Sequence, residues 1–259
     1  MELLKFDDLV IKEIDTSTFI YMKNEPNNKG VLNVPENKIV EIPNFITPDA
    51  PERLIHYFEN CGVEWGDIAF YGSSGKGLKP DAAKLAESGL PSTFFEDIKS
   101  KFQESVETVF GKKVRANTSH AQKWDVGGFA PPHSDNSDND GTPNAFEINK
   151  YVAILYLNDN YEGGELFFLT GWPGETWLSF KPNKYSLIVF PGGVENIHGV
   201  SEITKGTRYT MVSFWDFADL EYDKETLTKW EEMTKVVRQE QAVQKEEWKA
   251  GIGLPPKDN

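Results

Sequence analysis

The sequence predicts a mainly β fold with supporting helices, its core a sandwich or jelly roll. Between Val114 and Phe217 lie short runs rich in Val, Ile, Tyr, Phe and Thr, at 114–125, 151–157, 165–169, 185–190 and 207–217. Gly-Gly, Pro-Gly and Asn-Asp pairs punctuate these runs, and no helical pattern interrupts them. Segments with helical periodicity lie outside this stretch, before residue 111 and after residue 221.

Residues 1–40 are mixed and polar, with Asn-Glu-Pro-Asn-Asn-Lys-Gly at 24–30 reading as a loop. The segment Thr47–Asn60 is predicted helical, with Thr47 as N-cap and Leu54, Ile55 and Phe58 as its apolar stripe. His56 falls beside that stripe and is read as structural. Tyr71–Pro91, rich in Gly, Ser, Lys and Pro, reads as a long loop and a candidate lid. Helical spacing returns over Ser92–Phe110 through Phe95, Ile98, Phe102, Val106 and Phe110, and Gly111 ends it. A last helix is expected from Tyr222 to Ala250, with Leu227, Trp230, Met233 and Val237 on one face. Gly251, Gly253 and Pro255-Pro256 stop it. Its Trp230 and Trp248 are expected to pack on the core or on a second copy. The chain thus reads as a single domain over 1–259. Its parts are an N-terminal extension (1–40), helical support with a lid loop (41–113), a β core (114–218) and a C-terminal helix (219–259).

Forty-one acidic against 27 basic residues leave a formal charge of −14 and a pI near 4.8. Such a field repels phosphate backbones and argues against a nucleic-acid partner. The single cysteine, Cys61, rules out an internal disulfide and a cysteine-based zinc site. Met-Glu-Leu-Leu-Lys-Phe-Asp-Asp lacks the apolar run of a signal peptide, and no stretch approaches the ~20 apolar residues that cross a bilayer. A cytoplasmic location without a membrane partner is the expectation, and the Asn117-Thr-Ser sequon then reads as a chance match.

Four histidines can be weighed one at a time. His133-Ser-Asp135 places two metal-ligand types at i and i+2, which project to one side of an extended segment. His198 follows Asp135 by 63 residues, a separation that suits a neighbouring strand. Two imidazoles and a carboxylate form the facial triad of non-haem iron oxygenases, which leaves coordination positions open for an oxoacid and O2. A structural zinc site would close its sphere with four ligands. His-x-Asp alone is a weak signal, equally consistent with a turn histidine beside an acidic loop. Arg208, ten residues after His198 in the run Thr207-Arg-Tyr-Thr-Met-Val-Ser-Phe-Trp, strengthens it. Buried there, a guanidinium could grip a carboxylate with two prongs; its plain alternative is a strand-edge surface charge.

These pieces, in their order, resemble the catalytic core of the prolyl 4-hydroxylase-like 2-oxoglutarate/Fe(II) dioxygenases. The resemblance runs from Lys123 to Trp215. It rests on Pro132-His-Ser-Asp, Tyr156-Leu-Asn, Tyr161-Glu-Gly-Gly-Glu-Leu-Phe-Phe, Lys181-Pro-Asn-Lys, Val189-Phe-Pro, His198-Gly-Val and Lys205-Gly-Thr-Arg-Tyr. The start Val40-Glu-Ile-Pro-Asn-Phe-Ile is similar to that family's N-terminal support. The resemblance implies a double-stranded β-helix (jelly-roll) core, with His133, Asp135 and His198 as iron ligands. It also implies Arg208 on the far carboxylate of 2-oxoglutarate, with Tyr156 hydrogen-bonding the same group. Retention of Asp135 implies hydroxylation rather than halogenation. Two departures fall on the expected substrate side: Trp124 stands where many members have tyrosine, and Asn149 where many prolyl hydroxylases have arginine.

The expected activity is hydroxylation of a C–H bond, most readily of a prolyl residue in a peptide or protein, with O2 consumed and succinate and CO2 released. The cofactors implied are Fe(II) and 2-oxoglutarate, with ascorbate as a further candidate. A free amino acid or other small molecule is the alternative substrate, and a non-catalytic jelly-roll binding module the remaining reading. Trp124, Asn149 and Trp215 are the candidate substrate contacts. His120 is read as a strand or core histidine. The loop Asn136–Glu147 nearly fits a calcium-binding EF-hand pattern, but begins with Asn and lacks flanking helices, so a solvated loop is the simpler expectation.

Overall fold

The structure is a computed structural model that describes residues 5–22, 38–68, 74–80 and 82–249. The expected loop 24–30, the start of the segment from Tyr71 and the terminal Gly and Pro residues lie outside the described residues.

Strands β1 (Ile20–Met22) and β2 (Ile39–Ile42) pair antiparallel and are followed by helix α1 (Asp49–Asn60). The pair β3 (Gly66–Asp67) and β4 (Lys76–Leu78) and a 3-10 segment, Ala82–Ser88, precede helix α2 (Phe94–Phe110). The β region then runs through β5 (Val114–Trp124), β6 (Ala130–His133), β7 (Tyr151–Tyr156), β8 (Glu162–Gly163) and β9 (Leu166–Leu169). It continues with β10 (Thr176–Phe180), β11 (Leu187–Pro191), β12 (His198–Val200), β13 (Ile203–Lys205) and β14 (Arg208–Phe217). Helix α3 (Lys224–Lys249) is the last described element.

Eight strands form the large sheet, in the order β1-β2-β11-β7-β14-β5-β4-β3, and β10-β9-β12-β6 form a smaller one. Their pairings are antiparallel. Val152, Ile154, Tyr156, Phe190 and Val212 from the large sheet pack against Leu166 and Phe168 from the smaller, which makes the jelly-roll interior. The mainly β fold with supporting helices is therefore as expected. A second apolar core lies on the opposite side of the large sheet, where Leu54, Phe58, Ile98, Phe102 and Val106 of α1 and α2 meet Leu155, Met211 and Trp215.

Period-two alternation along β14 decides which residues serve which core. Arg208, Val212 and Phe214 face the interior cavity, whereas Met211 and Trp215 face the helices. A register shift between Phe214 and Trp215 leaves one extra residue, Asn117, in β5. That bulge brings two successive residues, Asn117 and Thr118, to the cavity.

Helix α2 ends as its sequence predicts, with Gly111 in the left-handed conformation at φ 66°. Other elements differ from expectation. Helix α1 starts at Asp49, and the Thr47 hydroxyl donates to the Asp8 carbonyl instead of capping the helix. The stretch read as a lid loop contains strand β4 and the 3-10 segment, with Leu78, Leu85 and Leu90 buried. Its glycines and lysines obscured three well-spaced core leucines. On α3, Leu227 is exposed and Trp230 is buried against Tyr222, with ring centroids 4.6 Å apart. The side chains of Val237 and Trp248 lie outside the described residues. Strand β6, Ala-Pro-Pro-His, is not among the runs read as strands from composition; it sits at the edge of its sheet, where prolines are tolerated.

Candidate metal centre and cavity

Strands β6 and β12 pair with His198 directly opposite His133, so two histidines distant in sequence become cross-strand neighbours. Their ring centroids are 4.5 Å apart. Asp135 lies just past the end of β6. Its Oδ1 is 3.6 Å from His133 Nε2 and its Oδ2 is 3.5 Å from His198 Nε2. Among the described residues this is the one group of three His, Cys, Asp or Glu side chains that could share a metal ion, its donor atoms all within 4.8 Å of one another.

The tautomers follow from the hydrogen bonds. His133 Nδ1 lies 2.8 Å from the Pro131 carbonyl, and His198 Nδ1 lies 3.0 Å from that of Asn196. A carbonyl only accepts, so each Nδ1 carries the proton and each Nε2 turns a lone pair toward Asp135. Burial pushes the His198 imidazole down to about 4, against the opposing pull of Asp135, which favours the neutral, ligating form. Asp135 Oδ2 is buried and accepts no hydrogen bond. An unpaired buried carboxylate oxygen is costly unless a cation meets it, and this donor set fits Fe(II).

The loop after β6 is held from several sides. Asn139 donates from Nδ2 to the Pro132 carbonyl and accepts at Oδ1 from the Ser134 amide, both at 3.0 Å. The Gly192 carbonyl accepts from the Asp135 amide at 2.8 Å and from the Ser134 hydroxyl at 3.1 Å. A Cβ on Gly192 would lie 2.5 Å from the Asn149 carbonyl oxygen, so the Pro-Gly-Gly turn needs its glycine there. Asn149 donates to the Asp135 carbonyl at 3.2 Å and accepts from Asn117 at 2.7 Å. Asn149 thus acts on the backbone of the ligand loop while lining the cavity. The loop Asn136–Glu147, which nearly fits a calcium-binding pattern, carries hydrogen bonds of its own: Asn144 donates to Asp138 and the Thr142 amide donates to Asp140. Sequence reasoning missed Asn139, because it lies in a stretch read as a solvated loop and nothing local to the sequence shows that its amide meets the backbone on both sides of His133.

A cavity of about 590 Å³ holds the triad and also Arg208. Arg208 is 1% exposed, and its Nη2 donates to the Tyr156 hydroxyl at 2.8 Å. Its Nε and Nη1 are buried and form no well-aligned hydrogen bond, and the buried Tyr161 phenol lies near enough to the guanidinium to interact with it. The guanidinium carbon lies 4.9 Å from the Tyr156 ring centroid and 5.6 Å from that of Trp124. Burial raises the Tyr156 phenol, with Arg208 opposing, and pushes the Tyr161 phenol up to about 12. Both phenols are therefore neutral donors. Lys181 donates to the carbonyls of Asp159 and Tyr161, which gives the Lys181-Pro-Asn-Lys segment its place beside the arginine. A buried cation with two unused donors demands an anion, and a carboxylate matches that fork.

Trp124 is buried and lines the cavity next to Arg208, so it borders the anion-binding end. Trp215 is a correction. It is fully buried in the core against the helices and does not line the cavity. It stands seven residues from Arg208 on β14, and an odd separation on a strand points to the opposite face.

An antiparallel jelly roll that presents two imidazoles and a carboxylate beside a buried, anion-seeking guanidinium is the arrangement with which a non-haem metal oxygenase would hold its metal and an oxoacid. Residues 119–216 match the family model of the 2OG-Fe(II) oxygenase superfamily. The chain is 34% identical over 116 residues to prolyl 3-hydroxylase 2 of Rattus norvegicus, an alignment covering 45% of this chain and 16% of that protein. The chain therefore spans about a sixth of the length of the curated relatives it matches. Among solved structures, HygX from Streptomyces hygroscopicus, with nickel and 2-oxoglutarate bound, is similar at TM-score 0.54 and 14% identity, over 71% of this chain and 85% of that one. A Pseudomonas putida prolyl-4-hydroxylase is similar at TM-score 0.50 and 16% identity, over 70% and 93%. At these identities the structures speak to the fold. Among the described residues no helix is long and apolar enough to cross a membrane.

Proposed function

We propose that this chain is a 2-oxoglutarate- and Fe(II)-dependent dioxygenase that hydroxylates a prolyl residue of a peptide or protein. The observation that carries the reading is the pair of unpaired, buried Arg208 nitrogens in the same cavity as the His133, Asp135 and His198 donors. His133 and His198 would hold the metal through Nε2 and Asp135 through its carboxylate. When bound, the metal and oxoacid supply O2 activation coupled to loss of CO2, with succinate as by-product. Arg208 and Tyr156 bind and orient the far carboxylate of the oxoacid, and Tyr161 adds a neutral donor beside them. Asn139, Asn149 and the Gly192 carbonyl keep Asp135 aimed. Val152, Ile154, Leu166 and Val212 make an apolar wall that excludes water from the reacting centre. The prolyl substrate is supported by the relatives' names, which specify 3-hydroxylation, so carbon 3 and carbon 4 of the ring are both candidate positions.

The test is anaerobic reconstitution with Fe(II) and 2-oxoglutarate, followed by aerobic succinate release with and without proline-containing peptides, free amino acids and ascorbate. His198→Ala serves as the blank. Succinate that rises with a peptide whose proline gains one oxygen supports the reading, and separation of 3- from 4-hydroxyproline assigns the carbon. Failure to bind both metal and oxoacid would overturn it.

A further inference from the structure

Strand β5 carries Thr118, His120, Gln122 and Trp124 on the cavity side. Three of these form a relay whose polarity can be derived. The Trp124 indole N–H can only donate, and it reaches the Gln122 Oε1 at 3.3 Å. The same oxygen accepts from the Thr210 hydroxyl at 3.3 Å. Gln122 therefore turns its amide nitrogen to His120 Nε2, 3.2 Å away, and that nitrogen must accept. A neutral His120 then carries its proton on Nδ1. Burial, aided by the charge of Lys79, holds this imidazole down to about 4, so it is neutral near pH 7.

The ring is oriented as well as polarised. A Cβ on Gly77 of β4 would lie 3.6 Å from His120 Cδ2, so that edge faces β4 and Nδ1 lies on the opposite edge. Phe214 stacks over the ring at a centroid distance of 6.3 Å and 27°. Among the described residues Nδ1 has no hydrogen-bond partner, yet it is not among the buried unpaired atoms, as expected for a donor open to the cavity it lines. His120 pairs across the sheet with Val212, and Trp124 with Arg208. Four residues along a strand set the two backbone positions about 13 Å apart, more than the span of a five-carbon diacid. The donor therefore faces whatever lies beyond the oxoacid.

We infer that His120 is a specificity-determining residue that donates from Nδ1–H to a carbonyl oxygen of the substrate peptide. The inference rests on the dioxygenase reading above and names how its substrate is held. Proline has no amide hydrogen, so a wall that recognises peptidyl proline by hydrogen bonding must donate to its carbonyl. A neutral imidazole with Nδ1–H does this, and it offers nothing to an ammonium group.

Two measurements test it on the full chain. Nitrogen-15 NMR of the histidine rings, with His120→Asn assigning the signal, reads the tautomer directly. Nδ1–H is expected at pH 7, and Nε2–H would overturn the inference. The second is peptide KM and kcat for proline-containing peptides that raise succinate release by the wild-type chain. His120→Asn keeps an amide donor where Nδ1 stood, and His120→Leu removes it. We expect KM to rise roughly tenfold in His120→Leu with kcat within about twofold, and to return most of the way in His120→Asn. Gln122→Met, which removes the amide donor that holds Nε2 as the acceptor, releases the tautomer and should raise KM with His120 intact, and it keeps the idea testable should His120→Leu not fold. Unchanged KM in the Leu and Met variants would overturn the inference, as would a wild-type chain that releases succinate but responds to no peptide. A wild-type chain that releases no succinate at all sinks the dioxygenase reading instead.

Discussion

Asn139 grips the chain on both sides of His133: its amide donates to the carbonyl of residue 132 and its oxygen accepts from the amide of residue 134, each at 3.0 Å. A single side chain thereby fixes the backbone that carries one metal ligand and leads into the next. Asn139→Ala should weaken metal binding by about 10- to 100-fold while the chain still folds. Titration with Co(II) or Mn(II), followed by electronic absorption or paramagnetic resonance, checks this; unchanged affinity would show that the clamp does not matter.

Arg208 offers two unused nitrogens, and Tyr156 accepts from the third. Lysine supplies charge without the planar fork. Arg208→Lys should therefore raise the KM for 2-oxoglutarate by about 10- to 100-fold, and Tyr156→Phe by only a few-fold. Succinate release against oxoacid concentration reads both. A lysine variant with wild-type KM would mean that the oxoacid is anchored elsewhere.

Gly192 is a packing requirement with a chemical consequence. An added Cβ would meet the Asn149 carbonyl at 2.5 Å and Asp135 Cβ at 3.1 Å. Gly192→Ala should destabilise the fold by about 1–3 kcal/mol and weaken metal binding together with it. Urea denaturation and metal titration on the same preparation measure both effects.

His120 and His198 are each held down to about 4, against an ordinary value of 6.5. Between those values the unfolded, metal-free chain binds protons that the folded chain refuses. Stability from both groups is thus fully present above pH 6.5 and is lost as pH falls toward 4. Each contributes on the order of 1–3 kcal/mol. Urea midpoints of the metal-free chain across this range should fall with acid, and His120→Asn should flatten the slope by about half. An unaltered slope would place the acid sensitivity on other groups.

Reading strands from sequence worked where side chains speak clearly. The β-branched and aromatic runs that became β7, β9, β11 and β14 stand out because a strand buried on one or both faces must carry such residues. β6 and β12 did not stand out. Ala-Pro-Pro-His and His-Gly-Val have little strand propensity and are strands because their neighbours pair with them. The relay from Trp124 through Gln122 to His120 was equally hidden. Gln122 and His120 looked like ordinary strand filling, and Trp124 stood out only as a candidate substrate contact, until β5 and β14 fixed which atoms meet.

By itself the sequence determined the kinds of chemistry available. Its one cysteine, its His-x-Asp with a distant histidine, and an arginine ten residues further on admit few metal sites. Strand periodicity alone sets Arg208 and Trp215 on opposite faces. Only the tertiary structure decided that His133 and His198 stand directly opposite, that Asn139 clamps the ligand loop, and that the Arg208 fork is buried and unpaired. The physical reason is one of range. Propensity and period act over a few residues, whereas register, burial and hydrogen-bond pairing come from segments tens of residues apart, brought together when the two sheets close on their shared core.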